Sequence, residues 1–189
     1  ALGDDSIINY DILSPYARDK LTMEDYAKMY WDIYKLPSVG LRFFNVYGPR
    51  QDPSNPYSGV ISIFIDRLIK RQHVVLNGGY QTRDFIYVDD IVKVLRLSMK
   101  YLFNNGSTNV FNVGTGISLS IEYLLELITN ILKVDPQIIL KKLPDGDPEL
   151  SEGTYEKLLK NLKIDIKKFI QLEDGLKLTI NYNIKNLRK

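Results

Sequence analysis

An α/β fold is predicted for this 189-residue chain by three observations. Stretches of helical periodicity alternate with short apolar runs through most of the length, as in linked β–α units. One run, Val39-Gly40-Leu41-Arg42-Phe43-Phe44-Asn45-Val46-Tyr47, is largely apolar without strict alternation, which fits a strand buried on both faces of a parallel sheet. The composition, 44% apolar and 25% charged, is that of an ordinary globular domain with room for one core, or a core and a small lobe.

Taken in order, Pro15 suits the first turn of a helix that Pro37 ends. Leu21, Tyr26, Met29, Tyr30 and Ile33 have the spacing of its buried face. The strand at 39–47 stops at Gly48-Pro49, and residues 50–58 form a loop dense in proline and polar side chains. A helix at about 59–71, a strand at 74–76, a turn at Asn77-Gly78-Gly79-Tyr80 and a strand at 85–88 follow. Asp89 and Asp90 sit where an N-cap belongs, before a helix to about Phe103. After a turn at 104–107 come a strand at 110–113, a loop at Gly114-Thr115-Gly116 and a helix to about Leu132. Ser118 or Ser120 caps that helix, with Glu122 near its positive end. A last strand at 138–140 precedes the turn-rich Pro144-Asp145-Gly146-Asp147-Pro148. Helices at about 154–162 and 172–183 and a frayed tail from Asn186 complete the expectation.

Composition also narrows the chemistry. Twenty-five basic residues against 23 acidic ones, a formal charge of +2, are too balanced to argue for nucleic acid or an anionic membrane as partner. The absence of cysteine excludes disulfides and thiolate metal sites. The single histidine, His73, cannot build a multi-histidine metal centre and is expected to be exposed, so no metal site is expected. No apolar run approaches the ~20 residues of a membrane span and no signal-peptide pattern opens the chain, so a soluble, cytoplasmic protein is expected. Ala1-Leu2-Gly3-Asp4-Asp5 carries neither an initiator methionine nor a capping signal and reads as the interior of a longer chain. No glycine-rich turn follows an early strand, so the chain shows no dinucleotide pyrophosphate loop.

Tyr16 and Lys20 are four residues apart and share one helix face. Free tyrosine, with a pKa of roughly 10, is a poor base near neutrality, and an adjacent ammonium favours the phenolate. The pair therefore has the makings of a proton-transfer device. A solvated helix face carries the same spacing by chance.

Four stretches then occur in order: Tyr16-x-x-x-Lys20, Arg42-Phe43-Phe44-Asn45-Val46-Tyr47-Gly48-Pro49-Arg50, Gln81-Thr82-Arg83-Asp84-Phe85-Ile86-Tyr87-Val88-Asp89-Asp90 and Asn112-Val113-Gly114-Thr115-Gly116. Together they resemble the extended short-chain dehydrogenase/reductases that act on nucleotide-diphosphate sugars, above all the NAD-dependent UDP-sugar 4-epimerases. The resemblance covers nearly the whole chain but only the carboxy-terminal part of the family's length. It implies the carboxy-terminal part of a Rossmann-type parallel sheet, about residues 1–48 and 85–115, and a small α/β substrate-binding lobe, about 49–84 and 116–189. The amino-terminal NAD-binding half is expected to be absent, and with it a Ser or Thr upstream of Ala1 that assists the tyrosine.

By this resemblance Tyr16 exchanges a proton with the sugar 4-hydroxyl while NAD takes the C4 hydride, and Lys20 holds the nicotinamide ribose and favours the phenolate. Hydride returned to the other face of the 4-keto sugar inverts the centre. Phe43 and Phe44 flank the nicotinamide and the substrate diphosphate, Asn45 donates its amide to phosphate, and Arg83 pairs with the diphosphate. Backbone at Ser58, Gly59 and Val60 meets the nucleotide. Each has a plainer reading: Asn45 as a strand-end cap, Arg83-Asp84 as a surface ion pair, Gly114 and Gly116 as turn glycines, and Asp89-Asp90 as a helix cap. Where many relatives carry a second phosphate-binding arginine this chain has Pro144, which implies a weaker grip or one taken over by Lys141 or Lys142. Ser151, four beyond Asp147, stands at the wall of the hexose pocket, where a small residue admits an N-acetylated sugar. The activity implied is C4 epimerisation of a UDP-hexose or UDP-N-acetylhexosamine. Rivals are another NDP-sugar dehydratase, decarboxylase or reductase, or a non-catalytic nucleotide-sugar-binding fragment. The intact protein is expected to be a homodimer, with Tyr26, Met29, Tyr30, Trp31 and Tyr34 partly serving the contact.

Overall fold

The computed structural model describes residues 15–55 and 58–187. The elements run α1 (Pro15–Tyr34), β1 (Val39–Phe43), β2 (Asn45–Tyr47), α2 (Val60–Ile69), β3 (Val74–Asn77), β4 (Thr82–Tyr87) and α3 (Val88–Asn105). They continue with β5 (Asn109–Val113), β6 (Ser118–Ser120), α4 (Ile121–Leu132), β7 (Ile138–Lys141), α5 (Glu156–Leu162), a 3₁₀ turn (Ile166–Lys168) and α6 (Leu172–Leu187). The expected α/β alternation is present. The opening loop, with Ser14 and Asp11, and the terminal Arg188 and Lys189 lie outside the described residues, whereas Asn186 continues α6.

The strand expected at 39–47 divides at Phe44, because its two parts take different neighbours. β1 runs parallel to β5, with Leu41 opposite Phe111 and Phe43 opposite Val113. The Phe44 N–H donates to the Val113 carbonyl at 3.0 Å, and the chain then turns to β4, with Asn45 opposite Phe85. β4 also pairs antiparallel with β6, Arg83 opposite Leu119. The three residues of β6 were expected to be loop and helix cap. β3 and β7 form a separate parallel pair.

Two apolar cores flank these strands. Ile61, Phe64, Ile65 and Leu68 of α2 meet Leu124 and Ile128 of α4 and Leu176 and Ile180 of α6 over Val74, Phe85 and Tyr87. On the other side Ile91 and Val94 of α3 and Leu158 and Leu162 of α5 close over Ile86, Phe111 and Val113. Burying a side chain of this size contributes about 1.5–3 kcal/mol. These positions recur with helical spacing in α2, α3 and α4, which is why the sequence marked them as helices.

Two expectations fail for identifiable reasons. On α1 only Leu21 is buried, while Tyr26, Met29, Tyr30 and Ile33 are exposed. The apolar stripe has the spacing of a buried face, but nothing among the described residues covers it. Asp89 and Asp90 do not cap α3; Tyr87 is its N-cap and both carboxylates fall in the first turn. There they favour the positive end of the helix, and the fully buried Asp90 accepts from Lys93 Nζ at 2.7 Å and the Ile170 N–H at 2.8 Å. Ser120, not Ser118, caps α4, accepting from the Tyr123 N–H at 3.1 Å.

Candidate active site

Tyr16 and Lys20 lie on the first turns of α1, both exposed, with Lys20 Nζ 5.1 Å from the centroid of the Tyr16 ring. At 67% exposure the phenol is open to a ligand. The helix is tied to the sheet by a fork: Arg42 Nε and Nη2 donate to the two oxygens of Glu24, each at 2.7 Å. Arg42 belongs to β1, one residue before Phe43, so the tie runs to the carboxyl end of that strand. Trp31, further along the helix, is partly buried with Lys35 Nζ 5.7 Å from its ring centroid.

Phe43 is 44% exposed at the end of β1. Phe44 occupies the break between β1 and β2 and meets the Tyr155 ring edge-on, centroids 5.6 Å apart. Gly153 lies so close that a Cβ there would stand 2.6 Å from Phe44 Cζ. Asn45 donates its amide to the Asp84 carbonyl at 3.0 Å. The carboxyl ends of parallel strands, where a sheet changes neighbours, are a common place for ligands in α/β folds.

Asp84 is the residue that sequence reasoning missed. In the sequence it reads as a surface partner of Arg83, yet adjacent strand residues project to opposite faces, and Asp84 is 1% exposed. Its carboxylate accepts from the Thr115 N–H at 2.9 Å, Thr115 Oγ1 at 2.6 Å, the Gly116 N–H at 2.9 Å and the Tyr155 hydroxyl at 2.6 Å. Its place in the apolar Asp84-Phe85-Ile86-Tyr87 run was the available signal. Four donors satisfy a buried charge that would otherwise be costly. The Gly114-Thr115-Gly116 loop is therefore an anion cradle filled by the chain's own carboxylate. A Cβ on Gly114 would lie 2.5 Å from Asp84 Oδ2.

Arg83 points the other way. Nη1 donates to the Thr82 and Pro148 carbonyls at 2.8 and 2.7 Å, and Nη2 pairs with Asp147 at 2.5 Å. Ser151, partly buried, presents its carbonyl to Ser118 Oγ at 2.7 Å. Phe44, Asn45, Arg83 and the segment after Ser151 are thus linked through Asp84. Ser58 is held by a different loop: its N–H donates to Asn55 at 2.9 Å and its hydroxyl to the Asp52 carbonyl. The Ser54 hydroxyl and N–H bond the Asp52 carboxyl, holding it below the usual carboxylate range and ordering that loop. Gly59 is the N-cap of α2 and Val60 its first residue. Lys141 ends β7, and Lys142 reaches Asp145 at 3.6 Å; both are exposed. His73 is exposed.

For a nicotinamide dinucleotide the fit lies at one end. The exposed Phe43 ring and the Lys20 ammonium suit a nicotinamide and its ribose hydroxyls. Among the described residues no glycine-rich turn joins a strand to a helix as a pyrophosphate cradle requires. No group of three or more potential metal ligands occurs among the described residues, and no described helix is long and apolar enough to cross a membrane. A cleft of about 550 Å³ opens between Thr115–Leu119 and Ile166–Leu172; Thr115 and Gly116 of the Asp84 cradle line it, whereas Tyr16, Lys20, Asn45, Arg83 and Ser151 do not.

Comparison with known proteins agrees with this geometry. Residues 3–114 match the model of the NAD dependent epimerase/dehydratase family. A putative UDP-glucose 4-epimerase of Methanocaldococcus jannaschii is 35% identical over 93% of this chain and 55% of its own length. The solved UDP-glucose 4-epimerase of Thermotoga maritima, with UDP-glucose, superposes with a TM-score of 0.85 at 37% identity, over 93% of this chain and 55% of that one. The UDP-N-acetylglucosamine 4-epimerase of Methanobrevibacter ruminantium, in complex with UDP-N-acetylmuramic acid, gives 0.83 at 33% identity, over 97% and 60%. The chain spans about half the length of the curated relatives it matches across most of its residues. The match of more than half of its residues to the family model establishes that the chain belongs to the NAD-dependent epimerase/dehydratase family.

Proposed function

We propose that the protein to which this chain belongs is a UDP-sugar 4-epimerase, acting on a UDP-hexose or UDP-N-acetylhexosamine through a 4-keto sugar. The observation that carries the reading is the exposed Tyr16 phenol with the Lys20 ammonium beside its ring, on a helix tied to β1. The names of the relatives support the substrate class. When bound, NAD supplies reversible hydride chemistry at C4. Tyr16 takes the proton from the 4-hydroxyl as the carbonyl forms and returns it to the same oxygen after the sugar has presented its other face. Lys20 holds the nicotinamide ribose.

Asn45 and Arg83 grip the diphosphate, the guanidinium matching two oxygens at once. This requires Arg83 to exchange its Asp147 partner for the ligand. Backbone at Ser58–Val60 meets the nucleotide, Phe43 and Phe44 flank the nicotinamide side, and the small Ser151 leaves room for an N-acetyl group. We assign about 1–48 and 85–115 to the cofactor side and about 49–84 and 116–189 to the substrate lobe. The two separate cores support this division only in part: α5 and Phe169 pack on the cofactor-side core, and Tyr47, Phe85 and Tyr87 of the cofactor side belong to the other. A homodimer would cover the exposed face of α1, which includes Tyr26, Met29, Tyr30 and Tyr34.

Proton NMR of the full-length protein with NAD and UDP-glucose or UDP-N-acetylglucosamine tests the activity. The expected products are UDP-galactose and UDP-N-acetylgalactosamine. A 4-keto product that has lost water would replace this reading by a dehydratase, and tight binding without conversion by a non-catalytic nucleotide-sugar-binding role.

A further inference from the structure

We infer that Asp84 and Tyr155 form a positioning pair that fixes the hexose-side wall, residues 151–155, against the strand that carries Arg83. The inference rests on the reading of Arg83 as a diphosphate contact and of Ser151 as part of the hexose wall.

Contacts along its whole length hold this short segment just before α5. The Ser151 carbonyl accepts from Ser118 Oγ at 2.7 Å, Gly153 abuts the Phe44 ring, the Thr154 carbonyl accepts from Asn112 Nδ2 at 3.2 Å, and the Tyr155 hydroxyl donates to Asp84 Oδ2 at 2.6 Å. Only the last of these hydrogen bonds ends on a charge, and it is buried, with Tyr155 at 6% and Asp84 at 1% exposure. A hydrogen bond to an ionised group in such surroundings is roughly twice as strong as a neutral one. It is therefore the stiffest anchor of the wall.

Asp84 also acts in two other directions. Its carbonyl accepts the Asn45 amide at 3.0 Å, which aims that side chain, and its direct neighbour is Arg83. One strand residue thus joins the wall to both groups assigned to the diphosphate, while its carboxylate faces away from the arginine. The edge-on contact of Tyr155 with Phe44 adds the residue at the strand break to the same unit. Replacing Tyr155 by phenylalanine keeps that ring contact and leaves Asp84 with its Thr115 and Gly116 donors, so the buried charge stays solvated. The hydrogen bond from the wall to Asp84 is removed, while the contacts at Ser151, Gly153 and Thr154 stay.

The experiment is calorimetry and steady-state kinetics on the full-length protein, with UDP and with UDP-glucose as probes. Tyr155→Phe is expected to bind UDP within about twofold of the parent and UDP-glucose about tenfold more weakly. Its loss in kcat/KM should lie in KM, with kcat within about threefold. Asp84→Asn should shift the UDP-glucose affinity in the same direction and lower Tm as well. Unchanged UDP-glucose affinity in a folded Tyr155→Phe protein overturns the inference. An equal loss for UDP and UDP-glucose also overturns it, because that marks general loosening rather than a sugar-side wall. If the parent protein binds neither probe, the reading of the site falls, and this inference with it.

Discussion

Arg42 and Glu24 face each other across the junction of β1 and α1, with both guanidinium–carboxylate contacts at 2.7 Å. The side chains are 30% and 24% exposed, so solvent screens the pair only in part. Because Leu21 alone among the α1 residues is buried, the fork has a large share in holding the helix that carries Tyr16. Glu24→Gln should lower stability by about 1 kcal/mol, read from urea unfolding. In the full-length protein it should also lower kcat with unchanged affinity for UDP. A parent-like kcat would show that the fork does not place Tyr16.

Tyr16→Phe removes the hydroxyl and leaves the ring. If the phenol is the acid/base, turnover should fall about a hundredfold or more, while calorimetry with the UDP-sugar gives nearly the parent affinity. The exposed position of Tyr16 predicts no loss of thermal stability. Retained turnover would remove the residue from the chemistry.

Ser151→Tyr places a large side chain where the hexose wall is proposed, on a segment whose neighbour Gly153 already touches Phe44. The full-length variant should lose use of UDP-N-acetylglucosamine and keep that of UDP-glucose. The ratio of the two kcat/KM values measures it, and an unaltered ratio would separate Ser151 from substrate size.

Tyr47 gives a pH signature unrelated to catalysis. Burial pushes its phenol well above the ordinary value of about 10, with Tyr87, Asp90 and Asp174 adding to the shift. The folded state then keeps a proton that the unfolded chain releases, so this contribution is complete below about pH 10 and is lost as pH rises further. Tyr47→Phe should flatten the alkaline fall in stability. It should also lose about 1 kcal/mol at neutral pH with the hydrogen bond to the Leu172 carbonyl at 3.2 Å. Urea midpoints at neutral and alkaline pH separate the two effects.

The sequence by itself determined what depends on near neighbours along the chain. The alternation of helices and strands, the Pro15 start, a serine cap at 118 or 120 and the spacing of Tyr16 and Lys20 are local, because a helix or strand repeats within a few residues. The candidate residues Phe43, Asn45 and Arg83 were legible as parts of family motifs, and Ser151 by its count from Asp147. How they meet was not. Whether 39–47 is one strand or two depends on β4 and β5, distant in sequence. The three-residue β6 exists because β4 offers it an edge. The apolar spacing of α1 looks the same whether or not a partner covers it. Asp84 differs most between the two descriptions: one of two neighbouring charges in the chain, it becomes a buried carboxylate through a tyrosine 71 residues away. Only packing brings those groups together, and the need to satisfy a buried charge decides what each of them does.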